Sequence, residues 1–184
     1  MVRTESPICD FDLPAVDFKL TGVDGKQHDL NSLQGPNGLL IMFICNHCPY
    51  VKSIINRIIR DASELHKLGI NSVGIMSNDP NEYEEDSFEN MKKISKELNF
   101  PFPYLIDETQ EIAKKYGAMC TPDPFLFNSQ KQLVFHGRLD NAMKPDDEAT
   151  EKTMIINMQK LIAGEKIEKD FDPSIGCSIK WKEN

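Results

Sequence analysis

No basic stripe runs through this sequence: Lys and Arg total 21 against 29 Asp and Glu, for a formal net charge of -8. That balance repels phosphate backbones, so nucleic acid is excluded as a partner. Long apolar runs are missing as well. The longest uninterrupted one, Leu39–Cys45, is far too short to span a bilayer, and the segment Met1 to Pro7 has no apolar stretch behind Arg3. The expectation is a cytoplasmic protein with no membrane partner. Cysteine is scarce: five residues, at positions 9, 45, 48, 120 and 177, are too few and too irregularly spaced for a disulfide framework, and an odd number leaves at least one unpaired. In a reducing compartment, cysteines that lie close together point instead to chemistry or metal. Internal repeats and low-complexity stretches are absent too. What remains is an ordinary globular composition, 40% hydrophobic and 27% charged, suited to one sizeable core. Residues 1–184 are expected to form a single domain, with 165–184 as a C-terminal tail packed on it.

The order of elements follows from periodicity. Val16 to Leu20 alternates apolar and polar, Val23 to Lys26 supplies an Asp-Gly turn, and Gln27 to Leu30 returns as a second strand. Leu39 to Ile44 lacks polar alternation, as a strand buried on both faces does, and it runs directly into Cys45. From Pro49 onward Val51, Ile54, Ile55, Ile58, Ile59, Leu65 and Leu68 recur at helical spacing up to Gly69. Ile70 to Met76 reads as a buried strand, and an acidic helix is expected between about Glu82 and Asn99. Pro101-Phe102-Pro103 breaks the chain, Asp107 with Gln110 resembles a capping pair, and Glu111 to Tyr116 makes a short helix ending at Gly117. Phe125–Phe127 and Leu133–Phe135 form an antiparallel pair, and Met154 to Ile162 mark a last helix closed by Gly164. Mixed strands with helices on both faces predict an α/β sandwich whose reactive loops lie beyond the carboxyl ends of the parallel strands. Cys45 stands at such a position.

Cys45-Asn46-His47-Cys48 places two sulfurs at a strand-to-helix junction, where the first helical turn brings them near enough to close a small disulfide ring. Unsatisfied N–H groups and the positive end of the helix dipole favour a thiolate there. The attacking role is assigned to Cys45, as the more exposed sulfur, and the resolving role to Cys48, one turn into the helix. Asn46 and His47 lie between the sulfurs as tuning residues, and a partly charged His47 imidazole would stabilise the thiolate and make the pair more oxidising. The bland alternative for one CxxC is half of a zinc site. No second CxxC or pair of histidines completes it, and a buried strand and a long helix frame this one, so neither a metal nor a cofactor is expected. Haem attachment fails because Pro49 follows Cys48.

A strand, a CxxC, a long helix and, downstream, Thr121-Pro122 together resemble the thioredoxin superfamily. More narrowly, Met42 to Val51 and Gly176 to Lys182 look like bacterial thioredoxin-family proteins grouped with AhpC/TSA redoxins. The resemblance implies a thioredoxin-like fold with an N-terminal β-hairpin and an extra helix inserted. It implies a cis-proline at Pro122 beside the cysteine pair, with the Thr121 backbone docking an extended substrate. Two departures stand out: thioredoxins carry Gly-Pro between their cysteines, and many hold a buried carboxylate on the preceding strand, whereas Leu39 to Ile44 contains no acid.

The expected function is thiol–disulfide oxidoreduction on a protein or small-molecule disulfide or dithiol, in exchange with a reductant or oxidant partner. A peroxiredoxin-like thiol peroxidase is the alternative, although the Pro-x-x-x-Thr-x-x-Cys motif of that group fits neither Cys45 nor Cys48. A third alternative is a non-enzymatic module that handles soft metal through the two cysteines. Cys120, two positions before Pro122, is either an auxiliary redox thiol or a buried filler, and Cys177 is a second auxiliary candidate if the tail folds back across the domain. Cys9 is set aside. Arg138 is expected in a surface ion pair, and His28, His66 and His136 at the surface or a strand edge.

Overall fold

The computed structural model describes residues 3–7, 11, 13–142, 147–165, 167 and 172–183; Cys9 lies outside them. The described chain opens with a short strand, Arg3–Glu5 (β1). The expected hairpin follows as Lys19–Gly22 (β2) and Gln27–Asp29 (β3), paired antiparallel. Leu30 does not continue that strand. It starts a one-turn helix, Leu30–Leu33 (α1), because the Asp29 carboxylate accepts the Ser32 N–H at 2.8 Å while Ser32 Oγ accepts the Asp29 N–H at 3.1 Å.

Gly38–Phe43 (β4) is buried at every position, and Pro49–Lys67 (α2) follows it, turning Val51, Ile58, Ala62 and Leu65 inward. Next comes the strand Ile70–Met76 (β5), as periodicity predicts. The acidic helix begins later than expected, at Phe88–Glu97 (α3), because Ser87 caps it by accepting the Asn90 N–H; a 3-10 turn, Glu84–Asp86, occupies the segment before it. A strand the sequence analysis missed, Tyr104–Ile106 (β6), directly follows the Pro-Phe-Pro break. Glu111–Tyr116 (α4) has the expected bounds, and the Asp107 carboxylate accepts the Ala113 N–H at 2.9 Å in its first turn. Cys120–Thr121 (β7), Asp123–Asn128 (β8), Leu133–His136 (β9), Thr153–Ile162 (α5) and Ile175–Ser178 (β10) complete the order.

Seven strands form one mixed sheet in the order β3-β2-β6-β5-β4-β8-β9, with β4, β5 and β6 parallel and β8 antiparallel to β4. Consecutive side chains of β4 point to opposite faces. Leu40 and Met42 join the core beneath α2, α3 and α5, while Leu39, Ile41 and Phe43 join the core beneath α1 and α4. Gly74 on β5 fills a tight place: a Cβ there would meet Ile44 Cδ1 at 2.9 Å and Tyr104 Cδ2 at 3.1 Å. The α/β sandwich with an inserted helix is therefore present. The tail is more ordered than its lack of periodicity suggests, since β10 is the middle strand of a second sheet, β1-β10-β7. Among the described residues no helix is long and apolar enough to cross a membrane.

Candidate active site

β4 ends at Phe43 and α2 starts at Pro49, so Cys45 to Cys48 form the loop at the carboxyl end of a central parallel strand. Cys48 is the N-cap residue of α2 and Pro49 fills the first helical position, where a missing N–H costs nothing. Both sulfurs are thiols, and both residues are buried, Cys45 at 2% exposure and Cys48 at 0%. Exposure therefore does not separate them, and the surrounding donors do. The Cys48 thiol is pulled down to about 5 by the Cys45 S–H, then by the Cys177 S–H and the backbone N–H groups of Val51 and Cys177, which together outweigh burial. Burial pushes the Cys45 thiol up, and the negative charge of Asp86 adds to that rise. The donors therefore favour negative charge on Cys48, while burial and Asp86 oppose it on Cys45. Cys48 Sγ also lies 3.3 Å from the Thr121 carbonyl, which accepts a hydrogen bond from its S–H when the thiol is neutral.

Asp86, in the 3-10 turn, organises the loop and was not foreseen from sequence. Its fully buried carboxylate accepts the Asn46 N–H at 2.7 Å, the His47 N–H at 3.1 Å and the Asn78 Nδ2–H at 2.8 Å, and pairs with His47 Nδ1 at 2.6 Å. Asn46 is held further by its Nδ2 donating to the Glu85 carbonyl and by the Tyr104 hydroxyl donating to its Oδ1. The His47 ring stacks on Tyr83 at 3.8 Å. His47 Nδ1 is thus engaged by the Asp86 carboxylate. The acid missing from β4 is supplied from the neighbouring strand's loop, and the rule that sites gather beyond parallel strand ends was the available signal for residues 77–87.

The Thr121–Pro122 peptide is cis, and Thr121 Oγ1 lies 3.1 Å from Cys45 Sγ, so both loops converge on the cysteine pair. The Thr121 backbone, which the resemblance assigns to an extended substrate, is paired here with the chain's own β10, in the register Cys177 opposite Thr121 and Ser178 opposite Cys120. Cys177 Sγ stands 2.8 Å from Cys48 Sγ. Cys120 is buried, its sulfur 4.0 Å from the Pro122 carbonyl, and burial pushes its thiol far up. Arg138 pairs with Asp172 at 2.9 Å. His136 ends β9, the edge strand of the sheet, yet it is buried rather than at the surface: it bonds to Asp123 Oδ1 at 2.8 Å and stacks on Phe125, its cross-strand partner on β8. His28 and His66 bond to Asp24 and Asn71 near the surface.

A cavity beside the cis-proline is lined by Tyr50, Ser53, Arg57, Pro122, Asp140 and Ser174 among others, and neither CxxC sulfur opens into it. Donor atoms of Cys45, His47 and Asp86 lie within 4.8 Å of one another. The Asp86 oxygens already serve four nitrogens, which leaves Cys45 and His47 Nε2, a buried atom without a hydrogen-bond partner among the described residues, as what a soft cation would meet.

Residues 12–162 match the AhpC/TSA family. A solved structure of an uncharacterized conserved protein from Geobacillus kaustophilus is 41% identical, covers 100% of this chain and 98% of its own, and superposes with a TM-score of 0.94. A hypothetical protein from Sinorhizobium meliloti 1021 is 33% identical over 98% of this chain and 100% of its own, with a TM-score of 0.93. A thiol:disulfide interchange protein of the thioredoxin family from Chlorobium tepidum TLS shares the fold at 19% identity, with 81% of this chain and 94% of its own covered and a TM-score of 0.60. No curated protein matches the chain. Family match, sheet order and cis-proline agree: the chain belongs to the AhpC/TSA family and has the thioredoxin-like fold, the setting of a thiol-based oxidoreductase or peroxidase.

Proposed function

We propose that the protein is a thiol–disulfide oxidoreductase in which Cys45 attacks and Cys48 resolves. The observation that carries this reading is the buried cysteine pair at the start of α2, held against the cis Thr121–Pro122 loop with Cys45 Sγ 3.1 Å from Thr121 Oγ1 and Cys48 Sγ 3.3 Å from the Thr121 carbonyl. In the reducing direction, the Cys45 proton passes to Cys48 and the Cys45 thiolate attacks a partner disulfide. One partner sulfur leaves as thiolate and a mixed disulfide forms. Cys48, deprotonated again, attacks the Cys45 sulfur and closes the Cys45–Cys48 disulfide, releasing the second partner sulfur. Two electrons have moved to the partner, whose two thiolates take up the one proton the cysteine pair held and one from solvent. The reverse sequence oxidises a dithiol. A cytoplasmic site of action suits this chemistry, because the surrounding thiol pool restores the reduced pair.

Because β10 fills the backbone edge of Thr121, the partner disulfide is a small molecule or a protein docked without using that edge. Reduction of insulin and of a small aromatic disulfide tests the reading. The wild-type chain is expected to be active, and Cys45→Ser should fall to the uncatalysed background. Full activity of that variant refutes the assignment. Membership of the AhpC/TSA family makes hydroperoxide the second oxidant to assay in parallel, and faster turnover with peroxide than with either disulfide favours the peroxidase reading.

A further inference from the structure

The three-cysteine arrangement goes further than a CxxC. β10 runs antiparallel to β7, with Cys177 directly opposite Thr121. The residue before it is Gly176, where a Cβ would lie 2.0 Å from the Thr121 carbonyl oxygen; only glycine lets the two backbones approach so closely. The result is a Cys48 Sγ to Cys177 Sγ separation of 2.8 Å. A disulfide needs about 2.05 Å, so closing one takes a shift of under about 1 Å. Both cysteines are buried in the same core, which keeps outside thiols from competing at that contact.

We propose that β10 is a built-in substrate strand that presents Cys177 to Cys48 as a third redox thiol, so that the Cys45–Cys48 disulfide isomerises to Cys48–Cys177. This inference rests on the thiol–disulfide reading of Cys48. In the step, Cys177 loses its proton and its thiolate attacks Cys48 Sγ. The Cys48–Cys177 bond forms as the Cys45–Cys48 bond breaks, and Cys45 leaves as a thiolate that takes up the proton. No outside oxidant or reductant is consumed. The chain keeps its oxidising equivalent internally while Cys45 becomes available for a second attack.

The charges bear on when Cys177 can attack. In the reduced chain Cys177 is pushed up to about 12, by burial first and then by the hydrogen bond to Cys48 and its negative charge, with Lys180 opposing. A Cys45–Cys48 disulfide carries no charge on Cys48, so two of those influences vanish once the pair is oxidised. Cys177 is held unreactive until it has something to attack.

The test oxidises the full chain with diamide, quenches with acid, alkylates the remaining thiols and maps linked peptides by mass spectrometry without reductant. In the Cys45→Ser variant, Cys48 and Cys177 should appear as one linked peptide lacking the mass of two hydrogen atoms. Alkylation at Cys177 should drop by about tenfold or more relative to the reduced variant. Wild-type chain sampled over time should carry both disulfides, which keeps the test valid if the variant folds poorly. Cys177 fully alkylatable in both proteins, or Cys48 linked to Cys120 instead, overturns the proposal. If insulin is still reduced in that case, the CxxC reading survives; a wild type that forms neither disulfide and reduces nothing loses both.

Discussion

Asp86 and Cys48 show how a residue's chemistry is set by what donates to it. Helix-terminal position alone treats the two cysteines alike in kind, yet S–H and N–H donors gather on Cys48 while a carboxylate faces Cys45. Reactivity of Cys48 toward a small alkylating agent should therefore rise with pH through about 5 and then level off, because the ionised fraction saturates there. Cys45→Ala removes the first of these donors, and the Cys48 alkylation profile should move to higher pH. Asp86→Asn acts in the opposite sense on the other sulfur. It removes a charge that raises Cys45, so Cys45 alkylation at neutral pH should quicken, by about tenfold for each unit of fall. The same change leaves N–H groups of the loop with fewer acceptors, at a cost of about 1–3 kcal/mol of stability measured by denaturant unfolding. Wild-type Cys45 rates in Asp86→Asn would show that the carboxylate only shapes the loop.

Along single elements the balance is between burial and polarity. α2 carries an acid, Asp61, on its buried face, contacted by Arg60 at 2.6 Å. Burial pushes its carboxyl up to about 6, with Arg60 opposing. A raised acid means the folded state holds the proton more tightly than the unfolded chain, so this site favours folding at low pH and that advantage is lost as pH rises through about 6. Asp61→Asn should accordingly gain on wild type between about pH 4 and about pH 7, by about 1–3 kcal/mol in denaturant titrations, less whatever the Arg60 pair contributes. An unchanged difference across that range would mean Asp61 stays ionised throughout. β10 offers a steric counterpart. Gly176→Ala places a methyl against the Thr121 carbonyl, and the strand must shift, costing about 1–3 kcal/mol and slowing formation of any Cys48–Cys177 bond.

The same elements show what composition and period could reveal. β4, α2, β5, α4 and the β8–β9 pair were legible because each has an apolar pattern long enough to declare its period, or a terminator such as Gly117. The cysteine pair was legible from its place in that order, and the cis-proline from the resemblance to the thioredoxin superfamily. β1, β6, β7 and β10 were not, since two to four residues carry no periodicity and their pairing depends on distant partners. Asp86 was invisible for a related reason. In Glu84-Glu85-Asp86 it reads as part of a solvated acidic face, and only the fold turns it beneath Asn46 and His47.

At the scale of the whole molecule, the two ends of the chain meet over the site. β1 pairs with β10 and β10 with β7, while the Lys180 N–H donates to Asn78 Oδ1 and Gln110 Nε2 donates to the Lys180 carbonyl. Removing residues 1–6 should leave the seven-stranded sheet intact by circular dichroism but quicken amide exchange in Ile175–Ser178. Unaltered exchange there would show that β7 alone anchors the strand. A quieter dependence runs through the sheet itself. Gly74 allows Ile44 and Tyr104 to close over β5; Ile44 immediately precedes Cys45, and the Tyr104 hydroxyl steadies Asn46. A single added methyl would press on both supports of the loop together, from beneath. The calibration of the sulfur chemistry is in this sense written into the sheet's interior, at a residue that touches no sulfur, and an enlarged side chain there would detune the loop while leaving every cysteine in the chain unchanged.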